Sequence, residues 1–378
     1  MSGRLLRLVG TAMVTALTAG ALLTAPATAV PEPPAADDDR SVATLLTDLQ
    51  RLYREAEEAT EEYNATEEEL AKQRAEVTKL DRRLTAARLS LHDSRGAAGR
   101  LAREQYRDNS TALSPYVRLL LARDPHRALE QGQVIGQVAR ERAETVSRLT
   151  GSEQDSDALA RKARAALDRQ LTLTERRKKE RVGVRDRLGD IEKLLASLTA
   201  EQLAGIEELE KDSTAEAQRE LVASGALSTV RPPTRTGAKA VRHAVAQIGK
   251  PYEWGAEGPE TYDCSGLTSE AWAHAGRPVP RTSQEQWARL PRVPLDRLRP
   301  GDLVVYFPKA THVALYLGDG MVIQAPRPGA TIKVSPIAAN PVLGAVRPDP
   351  DDSPLKNFTP PKLPKTAREG SDEGYDAP

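Results

Sequence analysis

The chain contains one cysteine in 378 residues. Cys264 lies in Tyr262-Asp263-Cys264-Ser265-Gly266-Leu267, where a helical run from Cys264 to His274 begins at the cysteine. The first residue of a helix sits among backbone N–H groups that lack intrahelical acceptors, and these groups favour a negative charge. The position therefore predicts a thiol biased toward thiolate, in the range of about 3.5 to 7.5 reached by cysteines so placed. Free cysteines are often buried and inert, but Asp263 and Ser265 on either side fit an apolar core poorly. A nucleophilic thiolate needs a base, and five histidines are available. His92 and His126 fall in a helical region, His243 on an amphipathic helix and His274 at a helix end, positions that read as structural. His312, in Thr311-His312-Val313-Ala314, heads a strand-like run. A Cys–His pair far apart in sequence suits nucleophilic catalysis. The residues alone leave His312 open between base and ordinary strand residue.

Composition narrows the chemistry. Lys+Arg and Asp+Glu both number 54, so no net basic field exists to drive nucleic-acid binding. A lone cysteine excludes a multi-cysteine zinc site, and neither a metal nor another cofactor is expected. Charged residues make up 29% and aromatics 4%, a balance that suits long solvated helices more than one large globule.

The elements that must position the pair follow from the patterning. Arg4 and Arg7, an apolar stretch from Leu8 to Leu23, and Ala27-Thr28-Ala29 predict a signal segment (1–29) cleaved after Ala29, hence a secreted protein. A Pro- and Asp-rich spacer (30–40) follows. Val42, Leu45, Leu49, Leu52, Ala56, Ala59, Tyr63, Thr66, Leu70, Gln73, Val77, Leu80, Leu84, Ala87 and Leu91 recur in steps of three and four. That is a coiled-coil seam, and such a helix must bury its stripe against a partner. Pro115 and Asp124-Pro125 interrupt it, and helical character resumes near His126 and runs to about Val222, with bends expected at Gly151, Gly183 and Gly189. The coiled-coil region (41–222) thus reads as an antiparallel hairpin with a small helical cap, with a parallel two-chain dimer as the alternative. A linker (223–237) holds Pro232-Pro233. The next segment (238–347) carries all three tryptophans and switches to an α+β pattern. Helices are expected at Ala240–Ile248, Cys264–His274 and Thr282–Ala288, and strands at Leu303–Phe307, His312–Leu317, Met321–Gln324 and Thr331–Val334. Gly318-Asp319-Gly320 supplies a hairpin turn. The tail (348–378), rich in Pro, Asp and Lys, reads as disordered.

Five ordered motifs in this segment carry a resemblance: Gly249-Lys250-Pro251-Tyr252-Glu253-Trp254-Gly255, Asp263-Cys264-Ser265-Gly266-Leu267, Pro280-Arg281-Thr282-Ser283, Pro300-Gly301-Asp302-Leu303-Val304 and His312-Val313-Ala314-Leu315-Tyr316. They resemble the NlpC/P60 family. The helical region is similar, more weakly, to the coiled-coil segments that precede such domains in actinobacterial wall hydrolases. The resemblance implies a papain-like fold and hydrolysis of peptidoglycan stem peptides, typically between D-glutamate and the diamino acid. It implies Cys264 as nucleophile, His312 as base and then acid, and the Cys264 N–H as an oxyanion donor. By motif position Tyr252 points its hydroxyl into the site. Gln324, where many relatives carry histidine, orients His312. Asp263, Ser265, Arg281 and Ser283 are candidate substrate contacts, each equally able to cap a helix or hold a turn. Ala256 stands where a second glycine is usual and could tighten the approach to the cysteine.

The resemblance leaves two other outcomes: an inactive wall-binding or scaffold relative, and an amidase or acyltransferase using the same pair. The expected partners are peptidoglycan and, through the coiled coil, a membrane-bound division or wall-remodelling complex. The hairpin could dock over the cleft and inhibit, so that removing Val42 to Val222 would raise activity. It could equally be a spacer or docking arm.

Overall fold

The structure is a computed structural model. It describes residues 40–109, 117, 119, 121, 124–227 and 231–368. The expected signal segment, nearly all of the spacer and most of the expected cap at the hairpin tip lie outside the described residues.

Helix α1 (Val42–Asn109) and helix α2 (Pro125–Ala196) run for 68 and 72 residues. They pair antiparallel: Gln73 donates to the Ala166 carbonyl, while farther along α1 Ser94 meets Ser152. Leu70, Leu80 and Leu84 of α1 and Ala166, Leu173 and Val184 of α2 bury the seam. The intrachain hairpin is therefore the arrangement formed. Asp124 caps α2 by accepting from the His126 N–H, with Pro125 at the first turn, where its missing N–H costs nothing. Gly151, Gly183 and Gly189, expected at bends or weak turns, do not interrupt α2, which is helical through all three. Each glycine costs about 1 kcal/mol against alanine, and burial of Val184 and Ile191 against α1 offsets it. The break falls instead at Ser197–Thr199. There a capping box between Thr199 and Gln202 starts helix α3 (Ala200–Ala223). Leu45, Leu49, Ile191 and Ile206 form the core at the hairpin base.

The C-terminal unit begins with helix α4 (Arg235–Val245), which is capped by Thr234 and starts three residues before the expected boundary at 238. Helices α5 (Cys264–His274) and α6 (Ser283–Arg289) follow. The strands are β1 (Arg292–Val293), β2 (Leu303–Tyr306), β3 (His312–Gly318), β4 (Met321–Gln324), β5 (Lys333–Pro336) and β6 (Val342–Val346). They form one antiparallel sheet in the order β1-β6-β2-β3-β4-β5. Side chains alternate across a strand. Leu303, Val305, Val313 and Leu315 accordingly face a core shared with α4 and α5, and Val304, Tyr306, Ala314 and Tyr316 face a second core. Leu221 of α3 and Leu227 pack against that second core. Both faces of the sheet are thus covered, one of them by the helical region, and β2 is buried at every position.

Two strands escaped the sequence reading. β1 is two residues long, and β6 carries Gly344 at its centre. A Cβ at Gly344 would lie 2.8 Å from the Trp287 ring, so the glycine admits the indole. The expected disorder of the tail is also corrected for residues 348–368. Asp349 pairs with buried Arg299 at 2.9 Å, Pro354 bridges Thr234, and Ala367 is buried. A Pro- and Asp-rich composition marks a segment that cannot build a core, but it does not preclude one docked by charge pairs. Residues 369–378 are outside the described residues.

Gly266, one turn into α5, leaves no room for a side chain: a Cβ there would fall 2.2 Å from the Ala256 carbonyl oxygen. Gly266→Ala should therefore lower stability by about 1–3 kcal/mol, read as a fall in the midpoint of chemical denaturation.

Candidate active site

Cys264 occupies the first turn of α5. Asp263 caps the helix, its Oδ1 accepting from the Gly266 N–H at 2.6 Å. The same carboxylate is gripped by Arg281, with Nη1 3.0 Å from Oδ1 and Nη2 2.7 Å from Oδ2. Gly255 N–H adds a further bond to Oδ2 at 3.0 Å. Burial works against the Arg281 charge, but Asp263 outweighs it and holds the guanidinium firmly protonated. Asp263 and Arg281 are thus committed to each other and to the cap. The expectation that they meet substrate directly gives way to a scaffolding role, because their bonding capacity is already engaged. Ser265 accepts from Arg281 Nη1 at 2.8 Å and keeps its hydroxyl proton for another acceptor.

His312 opens β3, with Gln324 on the adjacent β4 and Ser335 on β5. The His312 Nε2 lies 2.7 Å from Gln324 Oε1, and Gln324 Nε2 donates to Ser335 Oγ at 2.8 Å. With the acceptor-only Oε1 of Gln324 facing the ring, Nε2 carries the proton and Nδ1 faces the cleft. The Cys264 sulfur lies against the backbone N–H of Val313, the residue after His312. The cysteine and histidine therefore share one pocket, with buried Tyr252 in electrostatic contact with the thiol. Ser283 contributes its backbone N–H to the same pocket, while its hydroxyl turns away to the Ala310 carbonyl at 2.7 Å. The Ala256 carbonyl accepts from the Asp263 N–H at 3.0 Å, so its backbone helps to hold the cap.

The NlpC/P60 family profile matches residues 249–344, which span every one of these elements. The C-terminal unit is an NlpC/P60 domain. Among curated relatives, a probable endopeptidase of Corynebacterium glutamicum is 41% identical over 125 residues, 33% of this chain and 59% of that protein. A probable endopeptidase of Mycobacterium tuberculosis is 35% identical over 108 residues, 28% of each chain. The match thus spans less than two thirds of either relative. Among solved structures, the NlpC/P60 domain of the peptidoglycan hydrolase SagA is 32% identical, with 29% of this chain and 97% of that one covered and a TM-score of 0.28. RipD of Mycobacterium tuberculosis, a non-catalytic NlpC/P60 protein adapted to peptidoglycan binding, is 29% identical, with 30% and 98% covered and a TM-score of 0.28.

The cleft of the NlpC/P60 domain is filled by α1. Glu61 Oε1 lies 2.7 Å from Ser265 Oγ and 3.8 Å from Cys264 Sγ, and its Oε2 accepts from the Ser283 N–H at 2.9 Å. One turn earlier, Glu57 Oε1 sits 3.2 Å from His312 Nδ1. Nδ1 has no aligned hydrogen bond there, so the two groups form an ion pair when the ring is protonated. One turn later, Asn64 donates to Asp263 Oδ2 at 2.9 Å. Tyr63 stands edge-on to Trp254 at 5.1 Å, and Glu58 pairs with Lys309 at the rim. Glu57, Glu61 and Asn64 lie between the seam positions of the coiled-coil pattern. Their spacing of four and three does place them on one helix face, but a polar helical stripe carries no mark that distinguishes a polar cleft from water.

This packing reverses the expected thiolate. Burial and the carboxylates of Glu61, Asp263 and Glu57 push the Cys264 thiol well above its ordinary value, against the smaller opposing effect of the Val313 N–H. Burial alone would lower His312, but Glu57 and Gln324 raise it. In this conformation Cys264 is a protonated thiol. Gln324→Ala would leave the buried His312 Nε2–H without an acceptor, and should cost about 1–3 kcal/mol of stability by chemical denaturation. Gln324→Asn, with a shorter amide, should recover part of that loss.

Proposed function

We propose that the protein is an exported, wall-associated cysteine endopeptidase acting on peptidoglycan stem peptides, at the bond between D-glutamate and the diamino acid. The observation that carries this reading is the convergence of Cys264, at the start of α5, with the His312–Gln324–Ser335 relay across β3, β4 and β5. In this mechanism His312 Nδ1 takes the thiol proton as Cys264 attacks the γ-carbonyl of the glutamyl residue. The backbone N–H of Cys264 helps to hold the oxyanion. His312 then protonates the leaving amine, and water hydrolyses the thioester. Gln324 keeps the imidazole in the tautomer that exposes Nδ1 to the sulfur.

In the same reading the hairpin is an inhibitor rather than a passive spacer. Substrate cannot reach a sulfur covered by Glu61, and a thiol beside three carboxylates is poorly ionised. A membrane-bound division or wall-remodelling complex would release it by engaging the distal hairpin, where Leu121, Leu129, Val134 and Val146 are exposed.

The deciding experiment compares mature full-length chain with Cys264→Ala on isolated peptidoglycan, with released fragments identified by mass spectrometry. Glutamate-terminated fragments from the native chain alone are expected. Products other than peptide hydrolysis would replace the endopeptidase by an amidase or acyltransferase. The double substitution Glu57→Ala with Glu61→Ala removes two buried contacts worth about 1–3 kcal/mol each. It should raise wall hydrolysis by roughly tenfold or more, and an unchanged rate would count against inhibition by α1.

A further inference from the structure

Cys264 opens α5 and His274 closes it, about 15 Å farther along at 1.5 Å per residue. There His274 stands against His243 of α4, with ring centroids 4.4 Å apart and planes at 36°. The two imidazoles line a cavity of about 410 Å³ together with Lys239, Arg242 and Ala246. That volume falls within the roughly 300–1,000 Å³ usual for ligand sites. None of its lining residues belongs to the cleft.

The fold does not neutralise the charge gathered here. Lys239 and Arg242 are exposed, and among the described residues neither pairs with a carboxylate or donates a side-chain hydrogen bond. Burial, His274 and Lys250 all press the His243 imidazole below its ordinary value, so the charges acting on it share one sign. Lys250 itself donates to Gln247 Oε1 at 2.7 Å and to the Pro259 carbonyl. Glu270, one turn before His274 on α5, acts on Tyr262 instead.

Helix capping does not account for the cluster. The last carbonyls of α4 and α5 accept from the backbone N–H groups of Ala246, Ala275 and Gly276, and the His243 carbonyl accepts from Gln247 Nε2 at 3.0 Å. A helix C-terminus carries about half a negative charge. Two of them offset about one unit, whereas Lys239 and Arg242 supply two before either imidazole is protonated. A pair of imidazoles suits a divalent metal, but the cations beside them repel one. The field selects an anion.

The surroundings narrow the kind of anion. Arg235, Lys239 and Arg242 are exposed and spaced by four and three, which puts them on one face of α4. This stripe runs about 10 Å from the helix start to the cavity. An isolated anion needs the cavity alone, while a stripe suits a chain of repeated charges. Guanidinium and ammonium groups both bind phosphate oxygens. No Trp, Tyr or Phe lines the cavity, so a nucleic-acid strand finds no platform for its bases.

We propose that Lys239, Arg242, His243 and His274 form a binding site for a phosphodiester group of an anionic wall polymer, at the end of α5 remote from Cys264. Bound there, the domain is tethered with its cleft free. The choice of a wall polymer rests on the exported, wall-associated reading, and the phosphate chemistry does not. A bound anion stabilises the protonated imidazoles, so binding takes up protons and weakens as pH rises through their range. The diester keeps its single charge there, and the slope reports the histidines.

The test is fluorescence anisotropy on the full-length chain with a labelled glycerol phosphate oligomer, competed by inorganic phosphate or by single-stranded DNA of equal charge. The oligomer should bind at least fivefold more tightly at pH 5.5 than at pH 8. Lys239→Ala with Arg242→Ala should weaken binding at least tenfold. Lys72→Ala with Lys79→Ala, which removes the same charge from the exposed face of α1, should change it less than twofold. His243→Gln with His274→Gln, checked for native helicity by circular dichroism, should flatten the pH slope. Equal losses in the two lysine-bearing pairs, or an unchanged slope without the histidines, would refute the site. Inorganic phosphate competing as well as the oligomer would replace the polymer by a free anion, and DNA binding more tightly than the oligomer would also overturn the wall-polymer assignment. Binding needs no turnover, so an absence of wall hydrolysis would sink the peptidase reading and leave this result standing.

Discussion

Asp263 is the group on which the site hangs. Fully buried, it takes hydrogen bonds from the Gly266 N–H that starts α5, from the Gly255 N–H of the preceding loop, from two guanidinium nitrogens of Arg281, and from Asn64 of α1. A buried carboxylate is tolerated only when paired and hydrogen-bonded on every side. Satisfying it fixes the helix that begins at Cys264, the loop opposite and the arginine beneath in one arrangement. The same need draws in α1, whose Asn64 completes the shell. The placement of Cys264 and the closure of the cleft therefore depend on a single residue.

The sheet shows the same economy. Its strands are apolar on both faces, which leaves the face away from α5 in need of cover, and Leu221 and Leu227 supply it. Gln218 of α3 adds bonds to the Gly320 carbonyl and the Ala338 N–H, and Arg327 reaches Glu210 of α3 at 2.8 Å and stacks over Tyr53 of α1. The helical region is thus attached to the NlpC/P60 domain at its cleft and at its back. Away from the cleft the attachment combines apolar packing with the Gln218 bonds and the Arg327–Glu210 ion pair, whereas the cleft contact is mostly polar and charged.

Much of this was legible in the sequence where local rules decide. The α5 start at Cys264, the turn at Gly318–Gly320, the paired strands from Leu303 to Gln324 and the hairpin all follow from period and punctuation. The pairing of His312 with Gln324 came through resemblance, and the two-residue register between adjacent strands realises it. What the sequence withheld depends on tertiary contact. Asp263 and Arg281 look like substrate contacts until their bonds are counted. Gly344 hides a strand because the reason for it is Trp287. Glu57 and Glu61 resemble any glutamates on a solvated helix, since the pocket that receives them lies some two hundred residues away in the chain.

The length of α1 has a mechanical meaning. The helix is anchored near Leu45 and Leu49, carries Glu61 about 25 Å farther along, and ends about 70 Å beyond that at about 1.5 Å per residue. About a fulcrum at the base, the far end travels roughly four times as far as the glutamate. Lifting Glu61 by one hydrogen-bond length, about 3 Å, corresponds to a sweep of roughly 12 Å at the tip. The arm thus turns a modest pull, applied far from the chemistry, into a larger force at the sulfur.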